Sequence, residues 1–199
     1  MEFILIRTFF ISLLSFDFLN SIKVFHLPIG FPWLVLFLIC LGSWLFWEKV
    51  YKKRFNFPTI MGGLFAFQIS ADTLGNALYL YRKFDWYDKF THFTGGATAG
   101  ALMILVLSYL SRKNHWRISL KTLIIFAVSL ALLFGVFYEF WEYFAYSILG
   151  YKFIITGLTD TAHDLLFDFL GIMVAILIFT AMLKKKGYLL PNASDSNAK

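Results

Sequence analysis

Long apolar runs, broken by short polar and basic stretches, set the pattern of this chain. They predict hydrophobic segments over roughly 3–24, 31–48, 58–81, 89–111, 119–148 and 160–183. Each is long enough, or nearly so, to cross a hydrocarbon core about 30 Å thick as a helix. Arg7, Asp17, Asn20 and Lys23 interrupt the first segment, which leaves an interfacial helix as its alternative. Pro28, Pro32 and Pro58 stand just before or within the first turn of a segment, where proline is tolerated. The pattern predicts an all-α fold: a polytopic transmembrane helical bundle of about six spans. Residues 1–186 would form a single membrane domain, and 187–199 a short polar cytoplasmic tail.

Polar residues inside four of these segments recur on single helical faces. Residues four apart on a helix differ by about 40° around its axis. Gln68, Asp72 and Asn76 therefore form one stripe, and Asp160, Asp164 and Asp168 another, with His163 at its edge. Asp88 and His92 share a face, as do Glu139 and Glu142. Beside His92 runs Gly95-Gly96-Ala97-Thr98-Ala99-Gly100-Ala101, a small-residue surface that lets helices approach closely. Close approach is what would bring the stripes within ligand distance.

Composition supports the membrane reading. Of 199 residues, 59% are hydrophobic and only 15% charged, and the mean hydropathy is +0.70. A formal charge of +6 could suggest nucleic acid, but the basic residues lie in short runs between apolar segments, as membrane orientation requires. Eleven fall on one side, in Lys49–Arg54, Arg112–Lys121 and Lys184–Lys186. Five fall on the other: Lys23, Arg82, Lys83, Lys89 and Lys152. The positive-inside rule then places the C-terminus in the cytoplasm, and the N-terminus too if the first segment spans. Trp33, Trp86 and Tyr87 would mark the outer interface, and Trp47 and Trp116 the inner one. The first segment lacks a small-x-small cleavage site before Pro28, so no cleaved signal peptide is expected. The lone Cys40 cannot form an intrachain disulfide or a cysteine-rich metal site.

With that orientation all four stripes occupy the outer half of the membrane. At 1.5 Å per residue, His92 is about 6 Å deep, Glu142 about 9 Å, Asp168 about 12 Å, and Asp72 and Glu139 about 14 Å. No Lys or Arg lies within 90–111, 122–150 or 160–183, nor between Pro58 and Tyr81. Asp72, Glu139, Glu142, Asp164 and Asp168 therefore lack a basic partner inside the membrane, and five such carboxylates cannot all stay ionised there. Either several are protonated, which suits proton-coupled transport, or a cation neutralises them. Carboxylates with His92 and His163 suit a divalent metal such as Zn, Mn or Fe. Plainer roles compete. Polar residues in bundles hydrogen-bond across helices at about 0.6 kcal/mol each. Asp88 and Asp160, at helix starts, suit caps.

The string Trp86-Tyr87-Asp88-Lys89-Phe90-Thr91-His92-Phe93 resembles the DK-x-x-HF signature of VanZ-like membrane proteins. Glu139-Phe140-Trp141-Glu142 resembles that family's E-x-x-Q, and Asp164 through Gly171 its D-x-x-x-N-x-x-G. Asp72-x-x-x-Asn76-x-x-x-Leu80-Tyr81 and the tryptophan-containing motifs are similar to the YjdF-type bacterial inner-membrane proteins. The resemblance covers about residues 58–183 and implies a prokaryotic cytoplasmic membrane and an envelope setting; the VanZ-like family is associated with glycopeptide resistance. Glu142 and Asp168 stand where the VanZ pattern has glutamine and asparagine, which makes this site the more acidic.

The leading expectation is a membrane-embedded enzyme acting on a lipid or lipid-linked envelope substrate, with no nucleic acid involved. Asp88, His92, Glu139, Asp164 and Asp168 would bind the metal, Glu142 or His163 would be the general base, and Asp72 and Asn76 would orient the ligands. The alternatives are a proton- or cation-coupled transporter and an accessory protein that binds a partner's transmembrane helix.

Overall fold

Helix formation follows the apolar runs closely. The computed structural model describes residues 2–21, 57–116, 118–148 and 157–185, with the single positions 38, 41, 42, 45, 49, 150 and 187. The described elements are α1 (Glu2–Ser21), α2 (Phe57–Ala77), the single turn α3 (Leu80–Lys83), α4 (Asp85–Lys113), α5 (Leu120–Ser147) and α6 (Leu158–Lys185). Among the described residues there is no strand, so the protein is an all-α membrane helical protein. The predicted segment 31–48, apart from its isolated positions, and the tail after Gly187 lie outside the described residues.

The ends of the helices have local causes. Ser119 caps α5, its side chain accepting a hydrogen bond from the Thr122 backbone N–H at 3.1 Å. Asp88 and Asp160 are not caps: each lies within the first turn of its helix, α4 and α6, where a carboxylate favours the helix dipole. Lys and Arg close α4 and α6 at the opposite pole. The predicted continuous segment 58–81 is broken after Ala77, because Tyr79 takes a left-handed conformation (φ 57°) that ends α2 and starts α3.

α4, α5 and α6, at 29, 28 and 28 residues, are long and apolar enough to cross a membrane. At 1.5 Å per residue each exceeds the hydrocarbon thickness by about 12–14 Å, so their ends reach the interfaces. α2 has the length, at 21 residues, but carries Gln68, Asp72, Thr73 and Asn76.

Two compact units divide the chain within α4, Met1–Thr91 and His92–Lys199. In the first, α1 packs on α2, with Phe10 on α1 and Met61, Phe65 and Ile69 on α2 buried; the α2 positions recur every fourth residue. In the second, α5 packs on α6. The buried residues of α5 are Leu123 and three alanines, Ala127, Ala131 and Ala145. Phe126, Phe134, Phe137 and Phe140 are exposed. Small residues inside and large apolar residues outside are what a helix needs when its outer solvent is lipid. The fold is therefore that of an integral membrane protein.

Candidate metal centre

The second unit gathers the polar residues of α4, α5 and α6 around one imidazole. Backbone proximity makes this possible. A Cβ added to Gly96, one turn beyond His92, would run into the Asp168 backbone, and one on Gly171 would run into the Phe93 carbonyl. Farther along, a Cβ on Gly100 would lie 2.9 Å from Ile172 Cα. The small-residue run of α4 thus meets a matching glycine on α6, and the two backbones nearly touch.

That contact places His92 between carboxylates. Nδ1 of His92 is 3.5 Å from Asp168 Oδ1, while Nε2 is 3.9 Å from Asp164 Oδ2 and 4.0 Å from Glu139 Oε1. The four side chains are between 2% and 10% exposed, so water screens them little. Glu142 joins from the next turn of α5: His92, Glu139 and Glu142 each offer an atom within 4.8 Å of the others. Asp168 is set down on α5 as well, because Gly135 has no side chain where its carboxylate lies. Tyr138 packs its ring edge-to-face against His92 at 5.7 Å. Among the described residues, the buried Glu139 Oε1 accepts no hydrogen bond.

The charges do not balance within this cluster. One imidazole carries at most a single positive charge, whereas four carboxyl groups approach it. Two ionised carboxylates about 4–5 Å apart repel by roughly 3–4 kcal/mol at an effective dielectric near 20. No Lys or Arg lies in these stretches of the three helices to offset that. A donor set of one imidazole nitrogen and several carboxylate oxygens suits a divalent cation of the Zn, Mn or Fe type.

The predicted residues separate clearly. His92, Glu139, Glu142, Asp164 and Asp168 come together. His163, beside Asp164 in sequence, is exposed, and Asp160 is half-buried. Asp88, one turn before His92 on α4, has Lys89 Nζ 3.5 Å from its carboxylate.

Asp72 and Asn76 belong to the first unit and have their own network. The Tyr81 hydroxyl donates to Asp72 Oδ1 at 2.6 Å, and Asn76 Nδ2 donates to the Asp72 carbonyl at 2.9 Å. Gln68 Nε2 reaches the Thr91 carbonyl at 3.2 Å. Tyr87, expected at the interface, is instead buried, and its hydroxyl donates to the Ala71 carbonyl at 2.8 Å. Its ring and that of Tyr81 cross edge-to-face at 5.1 Å, in space that a side chain on Gly75 would fill.

Tyr81, Tyr138 and Gly135 were not legible as site residues. Each contacts its partner across helices, at separations that helical periodicity does not encode. A tyrosine nine residues beyond Asp72 was the one available hint, and it required knowing that α2 turns back at Tyr79.

Fold and site together define an integral membrane helical protein with a buried histidine–carboxylate centre. The chain belongs to the family described as "Predicted membrane protein (DUF2238)", which matches residues 3–185. No curated protein and no solved structure matches it.

Proposed function

We propose that this protein is a membrane-embedded, metal-dependent enzyme built on His92, acting on a lipid or lipid-linked envelope substrate. The observation that carries this reading is the flanking of one buried imidazole by carboxylates on both ring nitrogens, within the stretches 90–111, 122–150 and 160–183 that hold no Lys or Arg. On the Nε2 side, His92, Glu139 and Asp164 hold a divalent cation. On the Nδ1 side, Asp168 accepts a hydrogen bond from the ring N–H and fixes the imidazole, the arrangement common to metal-binding histidines. Asp88, on the same face of α4 one turn earlier, is the further ligand that the sequence suggests. Glu142 serves as general base; the exposed His163 is its alternative. A bound metal would supply Lewis acidity and a water acidic enough to ionise near neutrality.

The excess of basic residues after α4 and α6 supports a cytoplasmic C-terminus, and with it a centre in the outer leaflet. The VanZ-like and YjdF-type motifs support a prokaryotic inner membrane and an envelope substrate. Elemental analysis of detergent-purified protein tests the reading. About one equivalent of Zn, Mn or Fe is expected, with a melting temperature that falls on chelation. Less than about a tenth of an equivalent, with no effect of chelator, overturns it.

One observation favours a second reading, a proton- or cation-coupled transporter. Ser108 and Ser111, on the far half of α4, are buried with hydroxyls that make no hydrogen bond among the described residues. Proteoliposomes that take up a proton or divalent cation down an imposed gradient, and stop doing so in Ser108→Ala, would select it.

A further inference from the structure

Apart from Asp88, the connection from α2 into the start of α4, residues 78–90, plays no part in the proposed centre and has a distinct character. Leu78, Tyr79, Phe84 and Trp86 are 45–59% exposed. The rings of Phe84, Trp86 and Phe90 form a continuous group: Phe84 and Trp86 lie 5.8 Å apart, and Trp86 and Phe90 meet edge-to-face at 6.2 Å. Arg82 and Lys83 are exposed beside them, with the Arg82 guanidinium 6.0 Å from the Tyr79 ring centre. The nearby acids are accounted for. Asp88 has Lys89 at 3.5 Å, and Asp85 faces water in the first turn of α4. Among the described residues, no ion pair engages Arg82 or Lys83.

We propose that this surface binds the phosphate-bearing headgroup of an anionic phospholipid. Its position fits. α4 is longer than a bilayer core is thick, so the segment leading into it lies at headgroup level. Exposed Trp, Tyr and Phe are at home there, one end of the ring wet and the other apolar. Two cations without carboxylate partners among the described residues, one of them a guanidinium able to contact two phosphate oxygens, give the charge complement. Free phosphate would use the cations but gain nothing from the rings. The left-handed turn at Tyr79 makes the surface, since it sets Arg82 and Lys83 on a separate turn of helix.

This deepens the reading of a lipid substrate and, in its link to catalysis, rests on it; Trp86 precedes His92 by six residues in the same helix, α4.

The test is native mass spectrometry of the full chain, purified in detergent with equal phosphatidylglycerol and phosphatidylcholine of matched acyl chains. The wild type is expected to retain phosphatidylglycerol preferentially. Arg82→Gln with Lys83→Gln should lower that preference by roughly fivefold per cation, whereas Arg82→Lys should keep it. Lys184→Gln with Lys185→Gln, at the end of α6, should leave it unchanged. Equal retention of both lipids by the wild type overturns the proposal, as does a preference that survives the 82/83 double variant or is lost in the 184/185 variant. Bound metal is measured in the same samples. Lost lipid preference with metal intact is the outcome expected of the 82/83 variant. Preference intact with metal absent overturns the centre and leaves the lipid surface standing.

Discussion

His92 presents two unlike faces, and they assign different jobs to residues of the same chemical type. Asp168 approaches Nδ1 at 3.5 Å and is wedged over the bare backbone of Gly135. It can accept one proton and hold the ring, but it is on the wrong side to share a ligand position with Nε2. Glu139 and Asp164 lie on the Nε2 side at about equal distance from that nitrogen, 4.0 and 3.9 Å. His92→Gln should therefore reduce bound metal to below about a tenth of an equivalent, while Asp168→Asn should keep it with affinity lowered about 10–100-fold. Metal titration of the chelator-stripped variants checks this, and equal losses in both would contradict the assignment. Tyr81 plays a comparable holding part in the first unit. Tyr81→Phe removes the 2.6 Å hydrogen bond to the buried Asp72 and should cost about 1–3 kcal/mol. Asp72→Asn in the Tyr81→Phe background should recover part of that loss. Thermal unfolding in detergent of the two single variants and the double variant measures the coupling.

At the scale of the helix, the centre depends on how nearly α4 and α6 touch. Gly171→Ala would thrust a methyl group against the Phe93 carbonyl, moving Asp168 and Asp164 away from His92. A stability loss of about 1–3 kcal/mol is expected, together with loss of bound metal. Gly63 on α2 is the control, since a Cβ there meets nothing within 4 Å. Gly63→Ala should be neutral or gain about 0.5–1 kcal/mol from the stiffer helix. Comparing melting temperatures of the two variants separates packing from propensity. The same helices show what was readable beforehand. Apolar length and the absence of Lys and Arg marked α5 and α6 to within two residues, 119–148 against Leu120–Ser147 and 160–183 against Leu158–Lys185. Four-residue spacing identified Asp164 and Asp168, both buried. It also kept His163, adjacent to Asp164, at the edge of the stripe as a candidate base. They point about 100° apart, so only one can face inward, and the structure turns Asp164 in. Nor did hydropathy reveal the break after Ala77, because a tyrosine in the left-handed region leaves no mark in an apolar run.

For the whole molecule, the direction in which α4 and α6 cross decides what the centre can reach. If each spans the membrane, Asp85 and Leu158 begin on one side and Lys113 and Lys185 end on the other. His92 is seven residues, about 10 Å, from the start of α4, and Asp164 six residues, about 9 Å, from that of α6. The centre therefore belongs to whichever leaflet holds those starts. Basic residues cluster at the opposite ends, Arg112 with Lys113 and Lys184 with Lys185, and such clusters are retained in the cytoplasm. With Cys40 replaced by serine, single cysteines at Trp86 and Gly157 should react with a membrane-impermeant maleimide in intact cells. Cysteines at Asn114 and Lys185 should react only after permeabilisation. The four positions test one parity, so a mixed result would mean that one of these helices does not cross. A full reversal would leave the His92 cluster intact but place it in the cytoplasmic leaflet. Its substrate would then have to be a lipid made or modified on the inner face, and an envelope precursor already displayed outside would be ruled out. Labelling thus constrains the substrate before any reaction has been measured.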